Sequence, residues 1–267
     1  MTVQPPIRLA HVSHQFGKSV VLSDISLTVE RGEVAVVIGG SGTGKTTLLR
    51  IIVGLIPPSA GQVLIDGEDI ARLKERELER VRAKFGVVFQ YSALLDSLNV
   101  LDNVALPLRE HTQLGQAEIR ERVRSMLAAL DLGDVEERLP GELSGGMRKR
   151  VGLARALIRE PSMILYDEPS SGLDPITARL VDDLILRTRD RFGVTSLVIS
   201  HDMTQALKIG DHLLLLDRGR LVADGRPREL VREAGTLAAQ FFEASGVGNS
   251  TLAQGRQHVP PAPVPGV

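Results

Sequence analysis

Gly39, Gly40, Ser41, Gly42, Thr43, Gly44, Lys45 and Thr46 stand in the order G-x-x-x-x-G-K-[ST], and each specified type has a use in holding a chain of phosphates. Glycines let backbone N–H groups converge on phosphate oxygens without interference from Cβ atoms. A helix beginning at Lys45 would point its positive end at the same anion. Lys45 would reach the terminal phosphates, the Thr46 hydroxyl would ligate magnesium, and Thr47 would sit beside it in the first helical turn. The apolar run Val34 to Ile38 before the loop, and an apolar helix from Lys45 to about Val53 after it, supply the strand, loop and helix that such a site requires. The expected ligand is a nucleotide with Mg2+.

Two further segments carry chemistry. Met163-Ile-Leu-Tyr-Asp167-Glu168 is an apolar strand ending in two carboxylates, where an open parallel sheet places its ligand. Asp167 would hold the magnesium, directly or through a water, and Glu168 could orient and deprotonate an attacking water. A carboxylate in that place favours hydrolysis over transfer to a substrate hydroxyl. Leu143-Ser144-Gly145-Gly146-Met147 precedes a helix expected over Arg148 to Ile158. Ser144 could be only a helix cap, but a hydroxyl and two glycine N–H groups at a helix N-terminus also make a second anion site.

The elements that must position these residues follow from periodicity. Strands are expected over Arg8 to Val12 and Val20 to Val29, divided by a Phe16-Gly17-Lys18 turn, and over 34–38, 85–89, 163–166, 196–200 and 212–217. Residues 99–159 carry helical periodicity, notably 118–130 and 145–158. This reads as an α/β core, 1–91 and 160–245, with a helical subdomain inserted at about 92–159. Residues 246–267 turn to Gly, Ser, Gln and Pro and read as a flexible tail.

Composition narrows the partners. The net charge of -1 does not suit a nucleic-acid binder working through a basic surface. With no cysteine there is neither a thiolate metal site nor a disulfide framework. The N-terminus shows no secretory signal pattern, and the apolar runs fall well short of the ~18 residues a membrane-spanning helix needs, so a membrane role would come through a partner.

With the phosphate loop, the Asp167-Glu168 strand end and the Ser144-Gly145-Gly146 segment in this order, the chain resembles the ABC ATPase superfamily over roughly residues 7 to 235. The resemblance implies a P-loop NTPase core with an antiparallel β subdomain and an inserted helical subdomain. It also implies roles. Gln90 resembles the Q-loop glutamine, which senses magnesium and the attacking water. Ser171 to Asp174 resembles the D-loop, His201 the switch histidine that contacts the γ-phosphate, and Phe16 the aromatic that stacks on adenine. Met147, where glutamine is usual, and the stretch Asn99 to Thr112 look like the ATPase subunit of the Mla and Mce group of bacterial lipid transporters. That group implies a second copy of the chain, a permease dimer met by the 92–112 segment, an Mce-domain substrate-binding protein and in some systems a STAS-domain protein. It further implies a place on the cytoplasmic face of the inner membrane, peripheral through the permease. Another ABC importer or exporter is the alternative within the transporters, and superfamily ATPases of DNA repair, chromosome structure or the ribosome are the other class. They generally show a long coiled coil, zinc ligands or two fused cassettes, and none of these is present here.

Overall fold

The computed structural model describes residues 4–90 and 92–230. In chain order the elements are β1 (Ile7–Phe16), β2 (Ser19–Val29), β3 (Val34–Ile38), α1 (Lys45–Ile52), β4 (Ala60–Ile65), β5 (Glu68–Asp69), α2 (Glu75–Arg82), β6 (Phe85–Val88), α3 (Val100–His111), α4 (Gln116–Ala129), α5 (Gly145–Leu157), β7 (Met163–Asp167), α6 (Pro175–Phe192), β8 (Thr195–Ser200), α7 (Met203–Ile209), β9 (His212–Asp217), β10 (Arg220–Gly225) and α8 (Pro227–Leu230). The expected tail at 246–267, and the stretch 231–245 before it, lie outside the described residues.

Six strands form one sheet in the order β10-β9-β3-β8-β7-β6. All its neighbouring strands are parallel except β10, which pairs antiparallel with β9. Every residue of β3 is buried, the mark of a strand covered on both faces. Its alternation sorts the two sides: Val34, Val36 and Ile38 join the apolar cluster built with α3, α4, α5, α6 and α7, while Ala35 and Val37 join the cluster built with α1 and a second sheet. That second sheet is antiparallel, in the order β2-β1-β4-β5. The chain is thus α/β in class, with an antiparallel β layer on one face of the parallel core.

The helices α3, α4 and α5 lie in sequence between β6 and β7. Asn103, wholly buried on α3, fastens the loop that leads into this helix. Its Oδ1 accepts from Leu95 N at 2.8 Å, and its Nδ2 faces the carbonyls of Leu95, Leu98 and Asn99 at 3.0, 2.9 and 3.1 Å. A buried amide so fully engaged has a fixed orientation.

Candidate functional site

The sheet order brings the chemistry-bearing segments to one edge. In β3, β8, β7 and β6, Ile38 pairs with Ser200, Ile199 with Asp167, and Tyr166 with Val88. The 39–44 loop, His201, Glu168 and Gln90 therefore leave the carboxyl ends of four neighbouring strands side by side, where open α/β sheets bind ligands.

The loop's glycines are there for close approach. Gly44 has φ 104, which strains any L side chain, and a Cβ on it would stand 2.7 Å from Leu22 Cδ2 and 3.0 Å from the Val21 carbonyl, so glycine is favoured there. No side chain caps α1 at Gly44, which leaves the first-turn N–H groups to a ligand. Lys45 is only 5% exposed. Its Nζ donates to the carbonyls of Gly39 and Gly40, both at 2.8 Å, and lies 3.9 Å from Glu168 Oε1. Burial lowers its pKa, against the pull of Glu168 and Asp167. Thr43 Oγ1 donates to Gly40 O at 3.0 Å, while Gly40, Ser41, Gly42 and Thr46 are exposed and Thr47 is partly buried.

Asp167 ends β7 half-buried. Burial and then the neighbouring Glu168 raise its pKa, opposed by Arg50 and Lys45. Glu168 sits at φ 47, a left-handed backbone that costs about 1–3 kcal/mol for such a residue and so collects at functional sites. Its N–H donates to Ile199 O at 2.9 Å, and its Oε2 lies 3.2 Å from His201 Nδ1. Gln90 Nε2 donates to Ser171 Oγ at 3.1 Å. Among the described residues no group of three or more His, Asp or Glu could hold a metal ion alone. Asp167, Thr46 and Gln90 are oxygen donors only, which suits a small hard cation completed by phosphate oxygens and water. Such a cation would also relieve the crowding of Asp167 against Glu168.

Helix α5 starts at Gly145, where the helical periodicity of 145–158 begins, and Ser144 caps it: Ser144 Oγ accepts from Met147 N at 3.2 Å. Its hydroxyl proton stays available to a ligand. A Cβ on Gly145 or Gly146 would meet nothing within 4 Å. Packing within the chain therefore does not require glycine at either place. Among the described residues no hydrogen bond or ion pair joins 144–146 to the 39–46 loop. Met147 packs against the helix-side apolar cluster. Phe16, at the end of β1, is 53% exposed and stands edge-on to His14, centroids 4.6 Å apart at 79°.

Two cations that the sequence does not single out join α5 to the segment after β6. Lys149 Nζ donates to the carbonyl of Gln90, and Arg155 donates to the carbonyls of Ser92 and Ala93 at 2.9 and 2.8 Å. Burial lowers the pKa of both. In sequence they look like Arg148 and Arg150 on the same helix, which donate instead to the carbonyls of Leu143, Leu130 and Asp131.

Residues 22–171 match the protein-family model described as "ABC transporter". The chain is 41% identical over 242 residues to the probable ribonucleotide transport ATP-binding protein mkl of Mycobacterium tuberculosis, covering 91% of this chain and 67% of that one. It is equally 41% identical over 242 residues to the intermembrane phospholipid transport system ATP-binding protein MlaF of Escherichia coli K12, covering 91% and 90%. Its fold is similar to the dimeric post-hydrolysis state of the ATP-binding cassette MJ0796 bound to ADP and Pi, with a TM-score of 0.73, 32% identity, and 83% and 99% of the two chains covered. The chain belongs to the ABC transporter family as an ATP-binding, ATP-hydrolysing cassette.

Proposed function

We propose that ATP hydrolysis by this chain powers the movement of phospholipid, or a closely related lipid, between the inner membrane and the outer envelope. The observation that carries the cargo is the likeness to MlaF, 41% identical across nine-tenths of both chains. The chain would work as a pair of copies on the cytoplasmic face of the inner membrane, bound to an integral permease through the 92–112 segment. An Mce-domain substrate-binding protein and a STAS-domain protein would complete the system. Among the described residues no helix is long and apolar enough to cross a membrane.

In this reading Phe16 stacks on adenine, and Gly39 to Gly44, Lys45, Thr46 and Thr47 hold the phosphates. Thr46, Gln90 and Asp167 hold magnesium, which supplies charge neutralisation at the phosphates. Glu168 takes the proton of the attacking water, and His201 contacts the γ-phosphate. Ser144, Gly145 and Gly146 belong to the other copy's ATP, since the two anion-binding ends do not join within one chain. The segment at about 92–159 acts as a subdomain between nucleotide and permease.

The mkl name favours a second cargo, a ribonucleotide, at the same identity but over a smaller share of that relative. Isolation from detergent-solubilised membranes separates the two. Co-purification of an integral permease, with ATP-dependent phospholipid transfer between vesicles after reconstitution, supports the lipid reading. Nucleotide uptake without lipid transfer contradicts it.

A further inference from the structure

A buried polar chain lies behind His201. Ser200, the last residue of β8 and its neighbour in sequence, donates through Oγ to Gln205 Oε1 at 2.8 Å and accepts from Asp202 N at 3.0 Å. Gln205 Nε2 then donates to Asp182 Oδ1 at 2.8 Å, and Lys208 Nζ reaches Asp182 Oδ2 at 3.2 Å. Ser200 and Gln205 are 3% exposed and Asp182 is 5% exposed, whereas His201 is largely exposed. The Gln205 amide accepts at Oε1 and donates at Nε2, and because one partner can only accept and the other donates, its orientation is fixed. In a water-poor setting such a chain is rigid and costly to leave half-made.

The chain reaches across elements. Asp202 Oδ1 accepts from the N–H groups of Thr204 and Gln205 at 2.8 and 3.1 Å, so both neighbours of His201 are tied to the start of α7. The Gln205–Asp182 bond ties α7 to α6. Helix α6 begins directly after Asp174, whose Oδ1 caps it, and that loop carries Ser171, the partner of Gln90.

We infer that the Asp182–Gln205–Ser200 chain positions His201, fixing the backbone on either side of it to α6 and so to the 171–174 loop. The three are positioning residues; none need touch ATP. The inference rests on the reading of His201 as a γ-phosphate contact. No stripe of sequence announces it, because a Gln and an Asp at these places look like ordinary helix polar residues.

Gln205→Met keeps the volume and removes both bonds, and Ser200→Ala removes one hydroxyl. Both are measured in the full chain, alone and combined with His201→Ala, with kcat and KM from steady-state hydrolysis and slow residual rates from single turnovers. The expected result for Gln205→Met is a fall in kcat of about tenfold with KM for ATP within about twofold, and a smaller fall of the same kind for Ser200→Ala. Neither should lower the rate further once His201 is Ala, because the effect passes through that ring. An unchanged kcat in both variants overturns the inference, as does an equal fall with and without His201. If Gln205→Met does not fold, Ser200→Ala decides by the same criteria. A wild-type rate in His201→Ala alone would instead remove the underlying role of His201.

Discussion

Glu168 Oε2 lies 3.2 Å from His201 Nδ1, on a backbone held at φ 47. The carboxylate is thus aimed by local strain and by the neighbouring strand's histidine. Glu168→Gln keeps size and hydrogen bonding but cannot take a proton. We expect ATP binding to stay within about threefold and single-turnover hydrolysis to fall at least ~100-fold, the usual cost of losing a positioned base. An unchanged single-turnover rate would remove Glu168 from this role.

Two glycine-to-alanine changes should part company. Gly44→Ala drives a Cβ to 2.7 Å from Leu22 Cδ2 at φ 104, so chemical denaturation should register a loss of about 1–3 kcal/mol, with ATP binding weakened. Gly145→Ala meets nothing within 4 Å and stands in a helical turn, where alanine is the better former. Its stability should hold or rise slightly. Hydrolysis should still fall, because the space beside Gly145 is where the second copy's nucleotide would lie. Normal hydrolysis in a stable Gly145→Ala chain would count against a shared site.

Asn103→Ala should destabilise the fold without touching nucleotide chemistry. It removes the wholly buried amide that pairs the Leu95 N–H and the Leu98 carbonyl, while the carbonyls of Leu95 and Asn99 keep their backbone N–H partners. Leaving buried polar groups unpaired costs about 1–3 kcal/mol. The shift in denaturant midpoint checks it, and a shift near zero would show that the loop re-pairs.

His212 links strands at the other end of the sheet. Its Nε2 pairs with Asp224 and its Nδ1 lies 3.5 Å from Glu33 Oε1. Asp224 first, and then Glu33, push its pKa up to about 9 from 6.5. Since the folded value lies above the unfolded one, the stabilisation is whole below about pH 6.5 and is lost as pH rises through about 9. Unfolding midpoints from pH 6 to 10 should fall across that window, and Asp224→Asn should flatten the slope. An identical slope in the variant would place the titration elsewhere.

Much of this architecture is legible in the chain itself. The buried strands β3, β7, β8 and β9 read directly, because both faces of the sheet are covered and each carries an unbroken apolar run. Strand β10 does not, since its residues alternate between half-buried and exposed, and β4 buries only Val63 and Ile65. The phosphate loop and the Asp167-Glu168 end are legible because their chemistry needs fixed types at fixed spacing. Lys149, Gln205 and Asp182 are not, because a polar residue on a helix acquires its meaning only when folding buries it against a distant segment.

The shared ATP site between two copies is tested most directly by disulfide crosslinking, for which the cysteine-free chain is a clean background. One preparation carries Ser41→Cys, an exposed position in the phosphate loop, and another carries Gly146→Cys; both also carry Glu168→Gln so that ATP persists. When the two are mixed, ATP with Mg2+ should produce a crosslinked pair containing one chain of each kind, and its omission should abolish it. No mixed pair under ATP, or the same yield without it, would contradict the account.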